Sequence, residues 1–254
     1  PGIDAAGVVE RSNSEVLRPG DKVIVSGFDL GMNHAGGFAE YLTAPVEWIV
    51  PLPAGMSLRE SMIWGTAGFT AAQCVGRLTQ LGVHPDKGRV VVTGASGGVG
   101  SFAVAILAKL GFKVAAVTGK KADQFLLELG ATEVLPREEF AQDNRKLLLQ
   151  EKWAGGVDTV GGRFLETVIR ECMYGAADLN LSVYPFILRG VTLAGIDSAQ
   201  CPAADRTSLW QKMASEWALK GLADLATVIT LDGLEKYITQ ILACLLYTSD
   251  AADE

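Results

Sequence analysis

VVVTGASGGVGSFAVAILAKLGFKVAAVTGKK, residues 90–121, reads as one strand–turn–helix–strand unit. Val90–Val92 is a β-branched run suited to a buried parallel strand. Thr93–Gly100 is a glycine-rich turn. Ser101–Leu110 is a helix-length apolar segment stopped by Gly111, and Lys113–Val117 is a second strand. Gly97 and Gly98 carry no Cβ, so a pyrophosphate can approach the backbone where strand passes into helix. The helix N-terminus adds N–H groups and the positive end of its dipole. The spacing is Gly94-x-x-Gly97-x-x-Gly100, not strict G-x-G-x-x-G. Glycines alone are weak evidence, but their place between strand and helix predicts a dinucleotide site at Thr93, Gly94, Ser96, Gly97, Gly98, Val99 and Gly100. The plainer alternative is a turn that only lets a helix pack tightly on a sheet.

The end of the second strand separates the two nicotinamide cofactors. An NAD site places Asp or Glu about 20 residues on, to accept hydrogen bonds from the ribose 2′-OH. Here the strand ends Val117-Thr118-Gly119-Lys120-Lys121, with no carboxylate before Asp123. An acid would repel a 2′-phosphate, whereas the Thr118 hydroxyl followed by the ammonium groups of Lys120 and Lys121 would hold it. NADP(H) is the expected cofactor. Paired lysines also occur as a plain solvated helix start, so the missing acid is the independent support.

The chain's 254 residues suffice for one large domain or two, and 49% hydrophobic with 20% charged residues is globular composition. No apolar run reaches the ~18 residues of a membrane span. The opening PGIDAAGVVE has neither the basic nor the apolar region of a secretory signal. A net charge of −7 argues against a nucleic-acid surface. The four cysteines are scattered, as in a reducing compartment, so a cytoplasmic location is expected. Two histidines, His34 and His84, cannot assemble a multi-histidine metal site. The ending CLLYTSDAADE (Cys244–Glu254) resembles the read-through translation of a sequencing adapter, and Pro1 opens directly into a strand-like run. Truncation at both ends is therefore expected.

Short β-type runs at Ala6–Glu10, Lys22–Ser26, Phe38–Thr43 and Trp48–Pro51 suggest a small barrel or sandwich. Ser57–Leu81 has helical period, broken around Gly65–Gly68. Strands at 90–92, 113–117, 133–135 and 157–160 then alternate with helices at 101–110, 121–129, 137–152 and 163–173. That is an α/β, Rossmann-type doubly wound parallel sheet. The rhythm fails after Tyr174-Gly175. Val191–Ile196 reads as a strand, and Arg206–Lys220 and Thr227–Leu242 read as helical stretches.

The order PGIDAAGVV, RPGDKV, GGFAEY, GTAGFTAAQCV, VVVTGASGGVG, PFILRGVTLAGIDS resembles the medium-chain dehydrogenase/reductase superfamily. Within it, the chain is most similar to the zinc-independent, quinone-oxidoreductase-like branch that includes NADPH-dependent acryloyl-CoA reductase. GTAGFTA, PFILR and GIDS carry most of the specificity. The resemblance implies a partial GroES-like catalytic domain at 1–60 and an NADP-binding Rossmann domain at 61–200. Residues 201–243 would be an incomplete return toward the catalytic domain, and 244–254 a non-native tail. It also implies about sixty further residues before Pro1 and about ten between Gly175 and Pro185.

Zinc-dependent relatives carry Gly-His-Glu where this chain has Gly2-Ile3-Asp4, and they carry a four-cysteine lobe that is missing here. The resemblance thus implies hydride delivery to an activated acceptor. Hydride reaches the β-carbon of acryloyl-CoA, charge builds on the thioester oxygen, and a proton adds at the α-carbon. It implies Thr66 as a contact beside the nicotinamide and Asn33 as a polar contact, with Phe186, Leu188 and Arg189 lining the cofactor. Thr66 could instead cap its helix, and Asn33 could hold a turn. Asp158 could serve the site or cap the turn at Gly161-Gly162. The expected partners are a small-molecule substrate and, for the intact parent, a second copy in a homodimer. A quinone or enone reductase and a non-catalytic NADPH-binding protein are the alternatives. The short-chain dehydrogenases are set aside, because none of the five tyrosines is followed four residues later by lysine.

Overall fold

The computed structural model describes residues 1–140, 149–172 and 188–242. The chain divides into two compact units. One comprises Pro1–Gln73 and Asp197–Leu234, the other Cys74–Ile196 and Glu235–Glu254.

In the first unit, β1 (Asp4–Val8), β2 (Lys22–Ser26) and β3 (Ile49–Pro51) form an antiparallel sheet in the order β1-β2-β3. Ile24, Val25 and Val50 are buried. The α1 helix (Leu58–Gln80) is interrupted at Gly65, whose φ of 48° and ψ of −159° only glycine adopts without strain, as the sequence break at that point foretold. Helix α6 (Ala203–Ala214) lies against β3 and buries Trp210 and Met213, with Trp210 stacked on Phe69 at 5.8 Å.

The second unit is the expected doubly wound sheet. Strands β4 (Arg89–Thr93), β5 (Lys113–Thr118), β6 (Glu133–Pro136) and β7 (Trp153–Val157) are parallel in the order β6-β5-β4-β7. Alternate residues face opposite sides. Val91, Ala115 and Val117 pack with Val168 and Ile169 of α5 (Gly162–Glu171). Helix α2 (Gly98–Lys109), buried from Gly100 to Leu107, lies against β4 and β5. The short α3 (Asp123–Glu128) and α4 (Arg137–Phe140) join the outer strands, and α7 (Leu234–Leu242) is the last described element. The strand order reverses between β4 and β7, which is the switch point where doubly wound sheets bind ligands.

Several sequence expectations are corrected. Phe38–Thr43 is not a strand, because Gly37 and Phe38 donate their N–H groups to Gly2 and Pro1 at 2.8 and 3.2 Å instead of to a ladder. The fourth parallel strand is Trp153–Val157, not 157–160. Its Gly155-Gly156 pair marks close packing, since a Cβ on Gly156 would lie 2.7 Å from Val168 and 3.0 Å from Val91. Of the expected helix 137–152, Arg137–Phe140 forms α4, and 149–152 are not helical. Residues 141–148 lie outside the description, and Leu149 and Lys152 are tied to the end of α5 by backbone bonds at 3.2 and 2.9 Å. Val191–Ile196 forms no strand, for no described strand lies beyond β7 to pair with it; Val191 nevertheless joins the core.

Replacing Gly100 by alanine should destabilise the protein by about 2 kcal/mol or more, because the added Cβ would fall 2.1 Å from the Gly94 carbonyl oxygen. Gly195→Ala, with nothing within 4 Å of its Cβ, should stay within ~0.5 kcal/mol. Urea unfolding midpoints measure both.

Candidate active site

Two turns meet at the carboxyl ends of β4 and β7. The first leaves β4 through Gly94, where φ is +60° and a Cβ would lie 2.2 Å from the Thr159 hydroxyl oxygen. Gly97 donates its N–H to Gly94 at 2.9 Å, and Ser101 donates to Gly97 at 2.9 Å, so α2 begins at Gly98. That is three residues earlier than its apolar pattern suggests. The N–H groups of Gly98, Val99 and Gly100 therefore precede that of Ser101, the first to find an acceptor in the helix, and lie at the dipole's positive end.

The second turn braces the first. Thr93 donates its hydroxyl to Asp158, whose other oxygen accepts the Gly161 N–H at 2.8 Å. Thr159 closes the clamp by donating its hydroxyl to the Thr93 carbonyl at 2.9 Å. Asp158 thus caps the turn, the plainer of its two sequence readings. Thr93 and Gly94 shape the site from beneath, with both side chain and Cα buried.

The next edge is built by β5. Ala95 donates its N–H to Val117 at 3.0 Å, and the buried Ser96 and Thr118 hydroxyls share a hydrogen bond of 2.7 Å. Thr118 also accepts the Lys120 N–H at 3.1 Å. Its hydroxyl fixes the turn from which half-buried Lys120 and exposed Lys121 project. The structure thereby brings Gly94–Gly100, Thr118, Lys120 and Lys121 to one edge. Arg137 joins them: Thr118 pairs with Pro136 in the β5–β6 register, so Gly119 and Arg137 leave the sheet as neighbours. The signal available in the sequence was its place directly after a strand of a parallel sheet.

Of the PFILR segment, Leu188 and Arg189 are described. Phe186 lies outside the described residues and Leu188 is exposed. Arg189 is held by partners within the second unit. Its guanidinium donates to the carbonyls of Leu149 and Arg170 at 3.1 Å each and pairs with Glu151 at 3.1 Å. Leu149 and Glu151 lead into the amino end of β7, the opposite end of the strand from the glycine turn.

In the first unit, Thr66 starts the second segment of α1 and donates both its N–H and its hydroxyl to the Asp4 carboxylate, at 3.0 and 2.8 Å. Asp4 therefore caps the helix from β1, sixty-two residues away. Burial raises the Asp4 pKa above its ordinary value, while the Thr66 N–H, the Thr66 hydroxyl and Arg206 act in the lowering direction. The Thr66 hydroxyl keeps lone pairs but has no proton to offer elsewhere in this arrangement. Asn33 donates from Nδ2 to Asp29 at 3.0 Å and closes its own turn. His34 hydrogen-bonds through Nδ1 to the Ala35 carbonyl at 2.9 Å and meets Trp48 edge-on at 5.2 Å. Cys74 and Cys172 are no nucleophiles, since burial pushes their thiols up to about 11 and about 12. No group of three or more potential metal ligands occurs among the described residues.

Residues 1–54 match the alcohol dehydrogenase GroES-like domain. The chain is 46% identical over 226 residues to a putative quinone oxidoreductase of Bacillus subtilis, covering 85% of this chain and 68% of that protein. It is 44% identical over 245 residues to an acrylyl-CoA reductase of Ruegeria pomeroyi, covering 92% of this chain and 74% of that one. Among solved structures, an oxidoreductase from Salmonella enterica in complex with NADP superposes with a TM-score of 0.92 at 42% identity, over 98% of this chain and 79% of that one. A Bacillus subtilis protein with NAD bound gives 0.93 at 42% identity, with the same coverages.

The raised Asp4 pKa has a definite sign in stability. The folded state holds this proton more tightly than the unfolded chain. The contribution is fully present below the unfolded-state value and is lost as pH rises through the raised folded-state value. Across that interval the wild type should lose ground to Asp4→Asn. Thermal midpoints of both proteins at stepped pH check this, and a pH-independent difference would show the carboxyl to be unshifted.

Proposed function

Since the chain belongs to the medium-chain dehydrogenase/reductase superfamily, in its quinone-oxidoreductase and acrylyl-CoA-reductase-like group, we propose that it binds NADP(H) and reduces an activated C=C bond, most specifically that of acryloyl-CoA to give propanoyl-CoA. The observation that carries this reading is the carboxyl edge of β4 and β5. Three unpartnered helix N–H groups lie beside a strand end that carries cations where an NAD site carries an acid. The residues fit a phosphorylated dinucleotide: Gly98, Val99 and Gly100 offer backbone donors, and Lys120 and Lys121 offer positive charge for a 2′-phosphate.

When bound, such a cofactor supplies a hydride. The chain's own residues orient it and shape the field around it. Ser96 and Thr118 lock the glycine turn to β5 through their shared hydrogen bond. Asp158 and Thr159 hold the neighbouring turn against Thr93, which fixes the width of the crevice between β4 and β7. In the first unit, Asp4 holds Thr66 so that its hydroxyl oxygen presents lone pairs to an amide or hydroxyl N–H or O–H of a ligand. Asn33 contributes through the loop it closes. Reduction of a quinone or enone is the second reading, supported by the name of the Bacillus subtilis relative.

Oxidation of NADPH, followed at its nicotinamide absorbance with acryloyl-CoA and with a small quinone, tests the proposal. Faster turnover of the thioester is expected, and equal rates would return the assignment to the broader class. Lys120→Glu/Lys121→Glu should weaken NADPH about tenfold or more while leaving NADH within a few-fold.

A further inference from the structure

In the first unit, Nε of Arg206, Nε1 of Trp210 and Oε1 of Gln73 are buried polar atoms with no hydrogen-bond partner among the described residues. The fold gathers them around the ring of Phe69. Arg206 and Trp210 stand one turn apart on α6, and Phe69 and Gln73 stand one turn apart on α1. Phe69 lies 4.9 Å from the Arg206 guanidinium carbon and 5.8 Å from the Trp210 ring. Cys201, just before α6, supplies a second link. Burial pushes its thiol up, and the Arg206 charge and a hydrogen bond from Gln73 act in the opposite direction. That bond is donated to the sulfur, so it occupies the Gln73 amide N–H and leaves Oε1 free. In a guanidinium, Nε–H lies parallel to one N–H of Nη2. Nη2 of Arg206 donates to the carbonyls of Ser198 and Ala199 at 2.9 and 3.1 Å. Nε–H therefore faces the stretch that leads into Cys201, where Gln73 is held.

Buried donors and acceptors are almost always paired, because an unpaired one forfeits its hydration without return. Two N–H donors and one carbonyl oxygen are complemented by a molecule that accepts twice and donates once. Water does so, and buried waters typically make about three such bonds. A chloride ion could accept both N–H groups but would face the Gln73 carbonyl oxygen with like polarity. We infer that one internal water molecule binds at the junction of α1 and α6, accepting from Arg206 Nε and Trp210 Nε1 and donating to Gln73 Oε1. It completes the donor set of the guanidinium, whose other N–H groups already serve Ser26, Ser198 and Ala199. It also gives the apolar contact between the two helices a polar tie. The inference is independent of the cofactor reading.

A crystal structure of the full chain should show one density peak within hydrogen-bonding distance, roughly 2.7–3.2 Å, of all three atoms. In solution, the isotope-labelled chain should show magnetisation transfer from a slowly exchanging water to the Trp210 indole N–H, a signal identified by its loss in Trp210→Phe. Gln73→Leu removes the acceptor and should abolish the transfer, whereas Gln73→Glu keeps an acceptor and should retain it. Should Gln73→Leu fail to fold, the wild-type density and Gln73→Glu decide. A direct bond from Gln73 to either donor, or no density between the three atoms, overturns the inference. So does a transfer that survives in folded Gln73→Leu. Crystals grown in bromide that give an anomalous peak at this position replace water with an anion and overturn it as well.

Discussion

At the carboxyl edge of the parallel sheet, the first turn of α2 sits directly on the backbone of the turn that precedes it. With any side chain at position 100, the Gly94 carbonyl oxygen would have to move, and α2 would ride higher on β4. The three N–H groups at the start of the helix would then shift away from the crevice beside β7. Gly94 makes the same contact sideways, against Thr159. The two glycines therefore fix the helix vertically and the neighbouring turn laterally, and the hydroxyl network around them follows. Ser96 can reach Thr118, and Thr93 can reach Asp158, only because both approaches are close. Backbone packing sets the site, and the polar contacts hold it in register.

The first unit is organised around a charge instead. Arg206 is almost wholly buried, and its two terminal nitrogens make four hydrogen bonds, to the Ser26 carbonyl and hydroxyl and to the carbonyls of Ser198 and Ala199, all between 2.9 and 3.1 Å, while its Nε is buried without a partner among the described residues. Phe28 and Phe69 lie under its guanidinium at 4.7 and 4.9 Å. One side chain of α6 thereby joins the end of β2, the 197–200 loop and α1. Removing it would leave buried carbonyls unsatisfied and Asp4 without its nearest compensating charge, a combination more costly than the net worth of the pair itself. Phe28, with a φ of +53°, is held in the left-handed region and stacked on Trp48 at 5.5 Å, within reach of this same cation.

The parallel sheet was legible in the sequence because its buried strands are β-branched or small and its turns are glycines in the right order. β7 was displaced by four residues because Trp153-Ala154-Gly155-Gly156-Val157 lacks the β-branched signature; its glycines report contact with α5 and β4, which a linear pattern does not show. The glycine turn, Thr118 and both lysines were also legible, since each lies in one contiguous unit. Arg137 and Asp4 were not. Each lies against a neighbour distant in the chain, Arg137 beside Gly119 through strand register and Asp4 against Thr66 across sixty-two residues. The partners of Arg189 were not legible either: the motif around it gives no sign of Leu149, Glu151 and Arg170, which engage its guanidinium.

Thr66 shows how a folding contact constrains chemistry. A threonine at a helix start can cap through its own oxygen, leaving its proton available. Here the cap comes from Asp4, so the proton points inward and only lone pairs remain outward. Any group that Thr66 engages must then be a donor. An acceptor placed beside it would have to draw on N–H or cationic groups rather than on this hydroxyl. The Asp4 carboxylate thus takes both donors of Thr66, its N–H and its hydroxyl, for the helix cap.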